Sequence, residues 1–383
     1  MEQCLQSQNC GGCVYQGVSY EEQLKTKQSQ VKGFLTEQGI NSQIMSDIVP
    51  CPVRYNYRNK MDFAFGNETK DGELRLGLHK KSSFLSVFNT DCCQIVPEDF
   101  NVIQRAALDF CIERGYQHHN MKSHTGLLRH LVLRWGKRTG EILVNIVTTD
   151  SSEFDENAFK ELVLGLKLDS KIVGVLHTIN NNRSDAVICE KLNVLYGNDY
   201  YMEEILGLKF KVGAFSFFQT NVDAAERLYA DALSLIDNVE GKTVFDLYCG
   251  TGTITQAMAL KVKKAIGVEI VEDAVKSARA NAELNGLSNC EFICGDVAEV
   301  LSNIKDKPDV IVVDPPRMGM SPKALKLIMS YGVDQVVYIS CNPKTMADNL
   351  RAAALYGYKI KSLTPYDNFP FTKHIETVAL LQK

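Results

Sequence analysis

Cys341 is the residue whose setting most calls for chemistry. It follows the strand formers Val336-Val337-Tyr338-Ile339 and Ser340, and it precedes Asn342-Pro343, where a proline ends the strand. A thiol at the carboxyl edge of a strand is placed to act as a nucleophile, although a lone cysteine is commonly a small buried apolar group. A second group stands near the C-terminus. Glu376, in HIETVALL, precedes the last apolar run and is a candidate base, while His374 beside it reads as packing or substrate contact. A third lies between them in kind: Asp314 ends the apolar run DVIVVD and is followed by Pro315-Pro316-Arg317, two prolines that make a rigid loop.

Such side chains need a scaffold that brings strand ends to one edge. After about residue 206 the pattern alternates strands (243–247, 265–268, 290–294, 310–313, 336–339 and 378–381) with helices, which predicts a mostly parallel sheet with covered faces. The first strand leads into Gly250 and Gly252, whose lack of side chains lets a ligand approach the backbone where doubly wound sheets bind. Position 255 is Thr, so the third glycine of a dinucleotide fingerprint is missing. Glu269 ends the second strand, where a carboxylate accepts hydrogen bonds from ribose hydroxyls, and Asp296 ends the third, where an adenine contact would fall. This constellation resembles class I S-adenosylmethionine-dependent methyltransferases, in which Asp246 would lie near the methionine moiety.

Asp-Pro-Pro loops similar to 314–316 occur in methyltransferases acting on exocyclic amines of bases, which suggests a planar nitrogenous substrate. The thiol suggests a different atom. C5 of uracil is a poor nucleophile until a thiolate adds at C6, and after methyl transfer a base must take the C5 proton so that the thiolate leaves. One cysteine and one base suffice. The segments SFFQTN (216–221), DLYCGTG (246–252), DPPR (314–317), SCNPKTMADNL (340–350) and HIETVALL (374–381) resemble, in order, those of the RNA 5-methyluridine methyltransferases. The resemblance implies Cys341 as nucleophile, Glu376 as base, and Gln219, Tyr248, Glu269 and Asp314 as contacts of S-adenosylmethionine, with Asp296 and Thr253 added; part of the family has Asn where Thr253 stands.

The N-terminus holds another set. Cys4, Cys10 and Cys13 have C-x5-C-x2-C spacing, and Cys92 and Cys93 offer a fourth thiolate. Spacing alone fits zinc or an iron-sulfur cluster. In the 23S ribosomal RNA uracil-5-methyltransferases a similar set holds a 4Fe-4S cluster, and the family pattern favours Cys93; methyl transfer through a thiolate adduct needs no electron, so a cluster would be structural or position RNA. With the cluster motif beginning at residue 4, the layout resembles compact 23S members without a leading β-barrel RNA-binding domain. That makes 23S rRNA the first expected partner and the tRNA T-loop uridine the second.

Twelve cysteines in a chain read as cytoplasmic are expected to be ligands, nucleophiles or core groups rather than disulfides. No run of apolar residues is long enough to span a bilayer, and no obligate protein partner is implied. The net charge of -4 carries no basic footprint, yet residues 51–147 hold 14 Lys+Arg against 10 Asp+Glu and five of the seven histidines. Within that stretch Arg58 and Lys60, in YRNKMDF, could meet phosphates or be a solvated strand edge. Phe217, Phe218 and Phe369 could stack on bases or pack in the core.

The expected architecture is α/β: residues 1–50 as a cysteine-rich cluster segment and helix (20–38), 51–205 as a mostly antiparallel β region that binds RNA and closes the cluster, and 206–383 as a Rossmann-like S-adenosylmethionine methyltransferase domain. Two other functions fit fewer of these residues. An amine-directed nucleic-acid methyltransferase would not need the thiol, and a non-catalytic iron-sulfur RNA-binding protein would not bind the methyl donor.

Overall fold

The computed structural model describes residues 3–383, the side chain of Phe84 excepted. The chain divides into two compact units. The first comprises the residues up to Gly17, Val53–Glu204 and Lys211–Phe215; the second comprises Val18–Pro52, Ile205–Phe210 and Ser216–Lys383. The first fifty residues are thus split: the cysteine segment belongs to one unit and the helix after it to the other.

That helix is α1 (Tyr20–Glu37), opened by a capping box in which Ser19 and Glu22 satisfy each other's backbone N–H. Its buried stripe is Gln23, Lys27, Val31 and Leu35, and the last two join the core of the second unit. The first unit's sheet contains β1 (Lys60–Asn67), β2 (Leu74–Lys80), β3 (Ser83–Asn89), β4 (Leu128–Gly136), β5 (Glu141–Thr148), β6 (Lys171–Ile179) and β7 (Lys191–Gly197) in the order β3-β2-β1-β4-β5-β6-β7. Helix α2 (Glu98–Glu113) lies between β3 and β4 in sequence, and α3 (Glu156–Leu164) between β5 and β6. All pairs are antiparallel except β5 with β6, because α3 supplies the crossover that a parallel pair requires. The sheet is thus mostly antiparallel, with that one parallel ladder.

A hairpin, β8 (Tyr200–Ile205) and β9 (Leu208–Gly213), precedes α4 (Val222–Ser234). The doubly wound part of the second unit follows: β10 (Thr243–Leu247), α5 (Thr253–Ala259), β11 (Lys264–Glu269), α6 (Glu272–Leu284), β12 (Cys290–Cys294), α7 (Val297–Asn303), β13 (Val310–Val313), α8 (Pro322–Ser330), β14 (Gln335–Ser340), α9 (Pro343–Ala354), β15 (Lys359–Tyr366) and β16 (Glu376–Gln382). The strand order is β12-β11-β10-β13-β14-β16-β15; the first five run parallel, and β16 is antiparallel to both neighbours. The order reverses between β10 and β13, and the crevice outside their carboxyl ends is where open α/β sheets bind ligands. The inner strands are apolar on both faces, as in all six buried residues of β14, because helices cover both sides.

β15 escapes the sequence pattern because KIKSLTPY mixes lysines and a proline into a strand. Pro365 is tolerated because β15 is the last strand of its sheet. The segment after α1 borders it: the Ser46 and Val49 amides donate to Leu363 and Pro365 carbonyls, and the Asp367 amide donates back to Val49. Beyond β15, Lys27 Nζ lies 2.6 Å from Asp367 with both side chains fully buried, and it donates to the Phe369 carbonyl at 3.1 Å. Gln23 Oε1 accepts from the Phe371 amide, whose residue sits at φ 66. α1 therefore holds the loop 367–375 that leads to Glu376. Lys27→Met, which leaves a buried carboxylate alone, is expected to cost about 3–5 kcal/mol in denaturant unfolding. Adding Asp367→Leu should recover most of the loss, and no recovery would show that the pair itself is not what stabilises the loop.

Candidate active site

Ser340 pairs with Thr377 in the β14–β16 ladder, so one further step of the antiparallel register sets Cys341 opposite Glu376. The thiol and the carboxylate are neighbours because the last strand runs antiparallel, a fact no local pattern announces. Asn342 caps α9; its Nδ2 donates to the Arg317 carbonyl at 2.9 Å, and Thr345 Oγ1 donates to the same oxygen at 3.3 Å. Asn349 Oδ1, farther along α9, accepts from the Met320 amide and the Tyr338 hydroxyl. The loop after Asp314 is thus fastened to the helix that starts beside Cys341.

Electrostatics shows how closely these groups gather. Burial pushes the half-buried Cys341 thiol up to about 11; the Glu376 and Asp314 carboxylates add to the shift, and the Arg317 guanidinium, which hydrogen-bonds the thiol, opposes it. Glu376 is pushed up to about 8 by burial and then by Asp314, again against Arg317. Arg317 also lies 3.2 Å from His374 Nδ1. One cation faces a thiol and a carboxyl.

The glycine turn lies on the other side of Asp314. Asp246 is fully buried in β10, accepts from Thr255 Oγ1 at 2.5 Å, and leaves Oδ1 without a protein partner. Burial pushes it up to about 7 despite the bonds from Thr255, with Glu269 adding to the rise; Asp314 reaches about 7 from burial and from Asp246. Glu269 Oε2 accepts from the Gly250 amide at 3.0 Å and Oε1 from the Val271 amide at 2.9 Å, which orients the carboxylate at the end of β11. Tyr248 adopts φ 67 and Gly252 φ 77; a Cβ on Gly252 would lie 2.6 Å from the Phe292 ring, so that turn requires glycine. Asp296 is the exposed N-cap of α7, accepting from the Ala298 and Glu299 amides, and Thr253 is the first residue of α5. Gln219 Nε2 donates to Tyr229 Oη at 2.8 Å.

Tyr229 is a site residue that the sequence did not suggest. It is buried in α4, and after burial itself the strongest influence raising its hydroxyl is the Asp314 carboxylate, with Glu376 and Asp246 also acting. Nothing local to RLYADAL marks it. Arg317 was legible only as the end of the proline loop. Among the aromatic residues considered for stacking, Phe218 packs on Phe210 with centroids 5.7 Å apart, Phe217 is 69% exposed, and Phe369 lies edge-on to His374.

In the first unit, Cys4, Cys10 and Cys93 all influence the Cys13 thiol, which burial and those neighbours push up to about 12. Cys93 is pushed up to about 11, chiefly by burial, while the Ile95 and Val96 amides donate to its sulfur. Burial raises the Cys92 thiol, with Cys4 and Asp91 adding to the rise. The sulfurs gather, although among the described residues no three Cys, His, Asp or Glu side chains stand close enough to hold a metal as they are. Arg58 Nε donates to the Lys60 carbonyl, and Lys60 pairs with Asp62 at 2.9 Å. No helix among the described residues is long and apolar enough to cross a membrane.

The parallel sheet with its ligand-binding edge at the switch point makes the second unit a Rossmann-like methyltransferase fold. The pattern of the tRNA (uracil-5-)-methyltransferase family matches residues 188–383, and the chain belongs to that family of RNA methyltransferases. It is 46% identical over 374 residues to an uncharacterized RNA methyltransferase of Clostridium tetani, covering 98% of this chain and 82% of that one. It is 48% identical over 380 residues to another from Caldanaerobacter subterraneus subsp. tengcongensis, covering 99% and 84%. Among solved structures, the Pyrococcus abyssi tRNA (uracil-54, C5)-methyltransferase in complex with S-adenosyl-L-homocysteine superposes with a TM-score of 0.81 at 29% identity, over 97% of this chain and 84% of that one.

Proposed function

We propose that this protein methylates C5 of a uridine in RNA in the cytoplasm, with Cys341 as nucleophile and Glu376 as base. The observation that carries the reading is the register that sets Cys341 opposite Glu376 at the strand edge shared with Asp314. A thiol and a carboxyl so paired suit addition at C6 and later removal of the C5 proton, whereas amine methylation would use Asp314-Pro315-Pro316 and leave both idle.

The residues at the glycine turn fit S-adenosylmethionine. Two neighbouring buried carboxyls with raised affinity for protons, one with an unpartnered oxygen, suit a ligand bearing an ammonium and a sulfonium charge. Gln219, Tyr248, Thr253, Glu269, Asp296 and Asp314 would hold it, and Glu269 is oriented for ribose hydroxyls. When bound, it supplies an electrophilic methyl group. Cys341 Sγ, as thiolate, bonds to C6 and sends the electron pair of the C5–C6 double bond to C5, where it would form the bond to the methyl group; Glu376 then takes the C5 proton, and the electrons left behind restore the double bond as the sulfur departs with the pair of its bond to C6. Arg317 favours the ionised form of both groups.

A pH profile tests this division of labour. Glu376 must be ionised to act, and its pKa is raised to about 8, so the base is blocked at low pH. kcat/KM should therefore rise as pH increases through about 8, and keep rising toward about 11 as the Cys341 thiol ionises. Arg317→Gln should move that limb upward and slow the reaction at neutral pH by about tenfold, since one pKa unit corresponds to a factor of ten. A limb unmoved by Arg317→Gln would remove Arg317 from the scheme.

Cys4, Cys10, Cys13 and Cys93 are further assigned as ligands of a 4Fe-4S cluster. Burial and repulsion from the neighbouring sulfurs oppose ionising Cys13 and Cys93, so a cationic centre bound by thiolate is what such a set suits. The reading predicts iron and acid-labile sulfide in anaerobically purified protein, lost together in Cys13→Ser; zinc in their place would give the alternative ion.

Two RNAs are in view. The likeness of the N-terminal cysteine set to that of the 23S ribosomal RNA uracil-5-methyltransferases supports a 23S rRNA uridine, and likeness to the archaeal tRNA enzyme supports the T-loop. Mass mapping of 5-methyluridine in ribosomal and transfer RNA, with and without the gene, decides between them; identical maps would defeat the proposed reaction in the cell.

A further inference from the structure

The histidine excess of residues 51–147 resolves in the first unit into a cluster about one carboxylate. Asp185 lies 3.2 Å from His79 Nε2 and 3.5 Å from His130 Nε2. Arg129, itself buried, fixes the loop before it by donating to the Asn180, Asn182 and Ser184 carbonyls. Asp185, His79 and His130 line a cavity of about 680 Å3 together with Lys60, Asp62 and Arg134, all within the first unit. Phe215 forms part of the lining and is 42% exposed.

Two features point to a ligand. His130 and Arg134 are each 4% exposed, and in both one buried nitrogen, His130 Nδ1 and Arg134 Nε, has no protein partner. Leaving such a group unsatisfied costs about 1–3 kcal/mol, so a site meant only to pack would not keep two of them at a cavity wall. The charges indicate which ligand. Lys60 and Arg134 are offset by Asp62 and Asp185, so phosphate meets little net attraction. Burial holds the His130 imidazole toward its neutral form, which suits the mixed donors and acceptors of a base edge.

We propose that this cavity binds an unstacked nucleobase of the RNA substrate, with Phe215 as a stacking surface and Arg134 and His130 reading the base edge. The inference rests on RNA being the substrate and adds a second recognition point to the methylated uridine. The partly exposed aromatic beside buried polar groups is the arrangement by which single-stranded bases are held.

The test follows the histidine C2 proton resonances of the full-length protein, with His79 and His130 assigned by His→Gln variants, during addition of the four nucleoside 5′-monophosphates, ribose 5-phosphate or inorganic phosphate. At least one nucleotide should shift the His130 resonance saturably, while the two base-free phosphates do not. Phe215→Ala should weaken that nucleotide about fivefold or more, and Arg134→Gln should weaken it independently. Equal shifts with ribose 5-phosphate, or none with any nucleotide, would overturn the proposal even if RNA methylation proceeds. A base-dependent shift in a protein that leaves every RNA unmethylated would uphold the site and defeat the proposed reaction instead.

Discussion

Cys341→Ala is expected to lower uridine methylation by on the order of 10⁴-fold or more while leaving the fold and methyl-donor binding intact. Cys341 is half-buried at the end of β14, and alanine removes one sulfur without opening a core cavity. What disappears is the thiol that activates C5 through C6. Single-turnover measurement of 5-methyluridine formation, with calorimetric titration of S-adenosylmethionine as the control, reads both halves. Retained methylation with intact donor binding would move the chemistry to Asp314-Pro315-Pro316 and an exocyclic amine. Serine in the same place should be nearly as inactive, because an alkoxide is far harder to generate than a thiolate.

Glu376→Gln should behave differently. The first covalent bond and the methyl transfer need only Cys341 and the donor; removing the C5 proton needs the base. Turnover is expected to fall about 10²–10⁴-fold. A denaturation-resistant protein–RNA adduct should accumulate in near-stoichiometric amount and disappear when Cys341→Ala is added. Glutamine keeps the shape, and removing a carboxyl whose pKa burial has raised to about 8 relieves a cost of holding the charge, so stability should not fall near or above that pH. The sign is definite: a carboxyl with raised folded-state pKa destabilises the native protein as pH climbs from the unfolded value toward 8. A slow variant with no trapped adduct would take the base role from Glu376.

The parts of this site differ in how far they could be read from the chain. The strands around Asp246, Glu269, Asp314 and Cys341 are apolar runs that end at glycine, acid, proline or thiol, so their order and the edge they share were legible; buried parallel strands have no other composition open to them. Those runs carry the Rossmann-like expectation. β15 was not legible, since its lysines and Pro365 suit it only as a last strand bordered by a distant segment. Nor was the parallel β5–β6 pair, which depends on α3 between them. Polar residues buried by long-range partners look local and solvated in one dimension, as Gln23 and Lys27 do.

By itself the sequence determined the kinds of group available: a thiol after a strand, a carboxylate before another, acids at three strand ends and a set of N-terminal cysteines. Periodicity and turn chemistry act within a few residues, and that range is enough to place each group at an element's end. Only the tertiary structure decided who meets whom. The antiparallel return of β16 sets Glu376 opposite Cys341, α9 ties Arg317 between them, α4 brings Tyr229 among the carboxyls, and one aspartate gathers two histidines around a cavity. These encounters depend on strand order and register, which follow from burying every apolar face at once and so are written in no single stretch of the chain.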